Sequence, residues 1–208
     1  EADFDRGGRS VLGIRPLLWK NSWPVAGEVF KEGTYEIESE RRGYALELAV
    51  DFVRMEYTRH RFWEKDDTPV VPLKSQTLED VIGTWPQGKI NVRIGDYMFR
   101  PHQKWTITAV PDGGGYLGGP YYKIVIEGTN RALAATTDAE VVTVPEFTGA
   151  PEQLWRIDQL TDGTYRIMPK EVPGTDKELV LVSVGDSTPS LGEFDMNSDN
   201  SKWNFRDH

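Results

Sequence analysis

Three tryptophans set the plan of this chain. Trp105, Trp155 and Trp203 lie 50 and 48 residues apart, in the phrases Gln103-Lys104-Trp105, Gln153-Leu154-Trp155 and Ser201-Lys202-Trp203. Two residues after each comes an apolar side chain: Ile107, Ile157 or Phe205. That alternation puts each Trp and its neighbour on one face of a strand. A fixed period of this length marks a repeated supersecondary unit.

Two further markers keep the same order. Tyr35-Glu36-Ile37, Tyr122-Lys123-Ile124 and Tyr165-Arg166-Ile167 all read Tyr-x-Ile, with Gly33, Gly119 or Gly163 shortly before. Leu46, Leu133 and Leu179 follow those tyrosines by 11, 11 and 14 residues. The gaps from leucine to tryptophan are 59, 22 and 24 residues, so unit one carries an insertion of about 36. Between the markers, Lys123 to Ile126, Val141 to Val144 and Leu179 to Val182 are short, rich in β-branched residues and bounded by turn formers. Long helical periodicity is absent, and Ser75 to Ile82 allows a turn or two of helix at most. The class is all-β, a barrel, trefoil or sandwich. Four short strands cannot bury an apolar face alone, but three such units around a pseudo-threefold axis share one core. The Tyr, Leu and Trp markers are its expected large members.

Composition narrows the function. With 33 acidic against 24 basic residues, the net charge of −9 argues against a broad nucleic-acid surface. Zero cysteine removes disulfides, thiol nucleophiles and thiolate zinc sites. His60, His102 and His208 show no metal-ligand spacing, so neither a metal nor another cofactor is expected. No apolar run approaches the ~20 residues of a membrane helix.

The Gln-x-Trp phrase closing successive units resembles the ricin-type β-trefoil lectins, also called carbohydrate-binding module family 13. The resemblance covers roughly residues 29 to 208, with Ser201 standing in for Gln in the third unit. It implies a β-trefoil with repeats at approximately 29–109, 110–159 and 160–208 and an insertion at approximately 53–91. Residues 1–28 stand apart. Within them, Gly13 to Gly27, reading Arg15-Pro16-Leu17-Leu18-Trp19 and then Trp23-Pro24-Val25, resembles the closing strand of the five-bladed propeller of glycoside hydrolase family 43. That implies an accessory domain attached to a catalytic propeller in an exported, bacterial, arabinanase- or xylosidase-like protein. Because that family's catalytic carboxylates lie in the propeller, none maps onto this chain, and the chain alone is expected to be non-catalytic.

A ricin-type site implies a carboxylate after the leucine, an aromatic ring to stack on the sugar, and a polar residue before Gln-x-Trp. Hydroxyls need acceptors and donors, and the C–H face of a sugar needs a flat apolar surface. Unit one fills all three roles with Glu47, Tyr97 and His102. Unit two has Ala134 at the carboxylate position, leaving Asp138 and Phe147 as substitutes. In unit three Val180 follows Leu179, but Phe194, Asp195 and Asn200 lie before the tryptophan, with Asn197 nearby. The expected ligand is a polysaccharide or oligosaccharide of arabinan or xylan type. The alternative is a trefoil that braces the propeller and binds no sugar. Phe62, Trp63 and Trp85 in the insertion are candidate ligand platforms. Gly113, Gly115 and Gly118 spell G-x-G-x-x-G, but no helix follows them, so they read as a loop between units.

Overall fold

The computed structural model describes residues 2–3, 9–10, 17–20, 23–26, 30–41, 44–50, 77–116, 119–160, 162–184 and 188–207. Near the N-terminus, β1 (Ala2–Asp3) pairs with β2 (Arg9–Ser10), and β3 (Leu17–Lys20) with β4 (Trp23–Ala26), both antiparallel. The repeats follow with four strands each. Repeat one holds β5 (Gly33–Ser39), β6 (Ala45–Leu48), β7 (Ile90–Gly95) and β8 (Trp105–Tyr116). Repeat two holds β9 (Gly119–Ile126), β10 (Ala132–Ala135), β11 (Val141–Val144) and β12 (Trp155–Gln159). Repeat three holds β13 (Tyr165–Pro169), β14 (Val180–Val184), β15 (Thr188–Gly192) and β16 (Trp203–Asp207).

The first and fourth strands of every repeat close a barrel in the order β5, β8, β9, β12, β13, β16 and back to β5. Its register is threefold: Tyr35 faces Trp105, Tyr122 faces Trp155 and Tyr165 faces Trp203. The second and third strands form the hairpins β6–β7, β10–β11 and β14–β15. Each tryptophan ties its barrel strand to its own hairpin. The indole N–H of Trp105, Trp155 and Trp203 donates to the carbonyls of Leu46, Leu133 and Leu181 at 2.8, 2.9 and 2.8 Å. Full burial of a tryptophan needs this partner for its one polar group.

That bond corrects one marker. The third-repeat equivalent of Leu46 and Leu133 is Leu181, not Leu179, and the gap to tryptophan becomes 22 residues in both compact repeats. Leu179 is also buried but lies just before β14.

The three marker tyrosines converge on a residue that the repeat pattern cannot reveal, because it occurs once. Phe30 packs against Tyr35, Tyr122, Tyr165 and Phe205 with ring centroids 5.2, 6.0, 5.5 and 4.5 Å away. Its amide donates to the Tyr122 hydroxyl at 2.7 Å, which lies 3.2 Å from the Phe30 carbonyl. One phenylalanine thus fills the barrel axis where three symmetric side chains leave a gap.

The described part of the insertion packs down onto the trefoil. Helix α1 (Leu78–Ile82) starts with a capping box between Thr77 and Asp80. Trp85, only 6% exposed, belongs to the core, which corrects its reading as a ligand platform. Arg131 of repeat two fixes this stretch by donating to the carbonyls of Gly88 and Pro86, both at 2.7 Å. Phe62 and Trp63 lie outside the described residues. The glycine-rich stretch is also more regular than a loop. Gly113 and Gly115 belong to β8, whose pairing with β9 resumes after a register shift between Val110 and Gly115.

Candidate functional site

Before each tryptophan strand the chain makes a short 3-10 turn: Pro101–Gln103, Pro151–Gln153 and Asp199–Ser201. The last residue of each turn is buried and holds the loop that precedes it. Gln153 accepts from the Thr148 amide at 2.7 Å. Ser201 holds carbonyls rather than amides; its hydroxyl donates to those of Asp195 and Ser198 at 3.0 and 3.3 Å. Gln103 does the most. Its Oε1 accepts from the amides of Met98 and Arg100 at 2.8 and 3.3 Å, and its Nε2 donates to the Asp96 carbonyl at 2.8 Å.

The two amides clamped by Gln103 flank Phe99. This residue has a φ of 57°, the left-handed region that a bulky side chain rarely adopts. Four residues before Gln153, the position matching Phe99 is Gly149, with a φ of 82°. Repeats one and two therefore share a left-handed residue here, which Asn197 at the matching place in repeat three does not, and repeat two supplies the one residue that adopts it without steric cost. Repeat one supplies a phenylalanine. A side chain at Gly149 would meet nothing within 4 Å, so this position points into open space. Accordingly Phe99 is 76% exposed, beside Met98 and in ring contact with Tyr97 at 4.7 Å. Sequence reading passed over Phe99, although counting back four residues from each Gln sets it against a glycine.

Glu47 lies behind this loop, 4% exposed. Its Oε1 accepts from Arg93 Nε at 2.5 Å, its Oε2 accepts from Gln103 Nε2 at 2.6 Å, and His102 Nε2 is 3.5 Å from Oε2. Burial works against its ionisation. The bonds from His102, Arg93 and Gln103 outweigh that and hold the carboxyl below the usual glutamate value. Even the neighbouring backbone is shaped around it, since a Cβ at Gly95 would stand 3.0 Å from Oε1. Glu47 and His102 are therefore packed beneath the loop, while Tyr97 is half-buried at its surface and Asp96 exposed.

The corresponding aromatics of the other repeats are half-buried and covered by cations. Lys123 Nζ lies 5.6 Å from the centre of the Phe147 ring, and the Arg166 guanidinium 5.0 Å from that of Phe194. Both cations occupy the middle position of Tyr-x-Ile; in repeat one that position is Glu36. Near Phe194, Asp195 is exposed and its carboxylate accepts from the Asn197 amide at 2.9 Å. Asn200 is half-buried, its amide bonded to Ser198 Oγ at 3.3 Å. Among the described residues no group of three His, Cys, Asp or Glu side chains has a metal-holding arrangement. Nor is any described helix long and apolar enough to cross a membrane.

Comparison with known proteins agrees with this architecture. Residues 101–189 match the family described as ricin-type β-trefoil lectin domain-like. Among curated proteins, none matches this chain in sequence. Among solved structures, the designed threefold-symmetric protein ThreeFoil is similar, with 19% identity, a TM-score of 0.56, and coverage of 85% of this chain and 99% of its own. A Polyporus squamosus lectin, solved with the human-type influenza-binding epitope Neu5Acα2-6Galβ1-4GlcNAc, gives 16% identity, a TM-score of 0.55, and coverage of 86% and 50%. The exo-β-1,3-galactanase 1,3Gal43A from Clostridium thermocellum gives 15%, 0.52, 86% and 31%. The chain thus spans half of that lectin and under a third of that galactanase, and identities this low speak to fold alone. The protein is an all-β chain built on a β-trefoil, and the ricin-type lectin-like match runs from the 3-10 turn of repeat one into the third-repeat hairpin.

Proposed function

We propose that this chain is a non-catalytic carbohydrate-binding domain whose ligand surface is the repeat-one loop around Phe99. The observation that carries this reading is Phe99 itself. A phenylalanine is held in a left-handed conformation, where a neighbouring repeat has glycine, and its ring is turned into solvent. Strain of this kind costs on the order of 1–3 kcal/mol and is retained at functional sites. A flat exposed ring is what the C–H face of a sugar requires. Asp96, exposed on the same loop, supplies an acceptor for hydroxyl groups, and Arg93, joined to that loop through Glu47 and Gln103, supplies a donor. Glu47 serves as the brace behind Gln103, and Tyr97 supports the ring.

The finer reading is an accessory domain of a secreted hydrolase that degrades plant polysaccharide, binding arabinan- or xylan-type chains and attached to a catalytic propeller. It is supported by the resemblance of Gly13 to Gly27 to a propeller-closing strand. Affinity electrophoresis through arabinan, xylan and unrelated glucans tests the proposal. Retardation in at least one gel, lost in Phe99→Ala, is expected. Free migration through a broad glycan panel would instead favour a trefoil that only braces its neighbour.

A further inference from the structure

Repeat one has turned its polar chemistry around. In a binding site for neutral sugar, a carboxylate accepts hydrogen bonds from hydroxyls. Here both oxygens of Glu47 already accept from protein groups, and the side chain is buried. The group that Glu47 presents to the surface is Arg93, its cross-strand partner in the β6–β7 hairpin. Arg93 is anchored at two points: Nε on Glu47 Oε1 at 2.5 Å and Nη2 on the Val50 carbonyl at 3.2 Å. Its side chain remains 41% exposed. Among the described residues no acceptor takes the hydrogens of Nη1. The guanidinium is thus held along its Nε–Nη2 edge, and the other edge, Nη1 with the second hydrogen of Nη2, has the end-on geometry that receives a carboxylate through two parallel hydrogen bonds. A hydrogen-bond chain runs from Val50 through Arg93, Glu47 and Gln103 to the amides on either side of Phe99. The charged group and the exposed ring are joined by one hydrogen-bonded chain.

We propose that the repeat-one site selects saccharides bearing a carboxylate, that is, uronic acid residues, with Arg93 receiving the carboxylate while Phe99 covers a sugar face. This rests on the carbohydrate-binding reading above and adds the class of sugar. Partnership with Glu47 makes Arg93 a fixed donor, and binding requires no rearrangement of the brace. The protein's overall charge of −9 makes non-specific attraction of an acidic polymer a poor explanation of any preference.

The test uses the full chain and oligogalacturonides of one length, as free acids and as methyl esters, with neutral arabinan and xylan oligosaccharides alongside, all by isothermal titration. The ester changes the charge while keeping the ring. We expect the acid form to bind at least about tenfold more tightly than the ester at low salt. The advantage should shrink in about 0.5 M salt, where exposed charge pairs are screened. Arg93→Lys keeps the charge but loses the fork, and should reduce the acid preference severalfold. Arg93→Gln should abolish it; the near-ultraviolet circular dichroism of both variants reports whether the fold is kept. Equal affinity for acid and ester overturns the role of Arg93. If arabinan or xylan then binds in a Phe99-dependent way, the carbohydrate reading survives that failure. If no saccharide binds, both fall.

Discussion

Repeats one and two place the same backbone turn four residues before Gln-x-Trp and fill it differently. Repeat two uses Gly149 and has its loop aromatic, Phe147, half-buried with Lys123 over the ring. Repeat one uses Phe99, exposed, and a loop with three bonds to Gln103, where the repeat-two loop has only Thr148 on Gln153. Repeat two is the fold satisfying itself. Repeat one accepts backbone strain and an exposed ring, and devotes a buried ionic cluster to holding them in place. A trefoil with three equal repeats can therefore devote one of them to ligand binding, because the other two still carry the core.

The largest expected effect falls on what the repeats share. Trp155→Ala removes a fully buried side chain and its bond to the Leu133 carbonyl, and should cost about 3–5 kcal/mol in denaturant unfolding. Trp105→Ala should cost a similar amount. A much smaller loss in either would mean that the threefold core is not the main source of stability.

The next effect separates the repeats. Gln103→Ala strips partners from two amides and from Glu47, and should cost about 2–4 kcal/mol. Ser201→Ala removes only a hydroxyl bonded to two carbonyls, and should cost about 1 kcal/mol. Equal costs would show that the repeat-one loop is no better anchored than its counterpart in repeat three.

A third comparison concerns the middle of Tyr-x-Ile. Glu36 is 2% exposed, and its Oε1 has no hydrogen-bond partner. Burial, then the hydrogen bond and the charge of Glu38, push its pKa up to about 7, while Arg206 works the other way. A raised carboxyl means that the folded state holds its proton longer than the unfolded chain does. Its contribution to stability is intact below the unfolded value near 4.5 and is lost as pH rises through about 7. The melting temperature of the wild type should fall across that window. Glu36→Gln should flatten this decline. Glu47 has the opposite sign: its lowered pKa makes its contribution present above the ordinary glutamate value and lost on acidification. A pH profile that Glu36→Gln leaves unchanged would remove Glu36 from this account.

The smallest expected stability effect is at the turn itself. Gly149→Ala places a Cβ at a φ of 82° in open space, so only backbone strain is felt, about 1 kcal/mol. No change in melting temperature would mean that the left-handed turn is not demanding in repeat two.

Most of the fold was legible because it is written three times. Tyr-x-Ile and Gln-x-Trp give the barrel strands and their mutual register, since a strand places alternate residues on one face. The slip from Leu181 to Leu179 has a physical cause. Leu179-Val180-Leu181-Val182 offers two leucines in the same alternation, and only the bond from Trp203 chooses between them. Phe30 and Trp85 occur once, so no period identifies them as core. The site was less legible. Glu47 has the right chemical type and position for a sugar ligand, but a sequence does not show that Arg93 and Gln103 occupy its oxygens. Phe99 was detectable in principle, because Gly149 stands at the same distance from the next Gln. Recognising the strain required the backbone.

The most direct test of the central claim is Phe99→Gly, measured for melting temperature and for polysaccharide affinity in the same preparation. Relief of the left-handed strain offsets the greater freedom of glycine in the unfolded chain, so stability should be unchanged or higher by up to about 1 kcal/mol. Polysaccharide affinity should fall at least about tenfold, since covering a phenylalanine ring contributes about 1.5–3 kcal/mol. A variant that loses stability and keeps its full affinity would contradict the account, because Phe99 would then be a structural residue and the ligand surface would lie elsewhere.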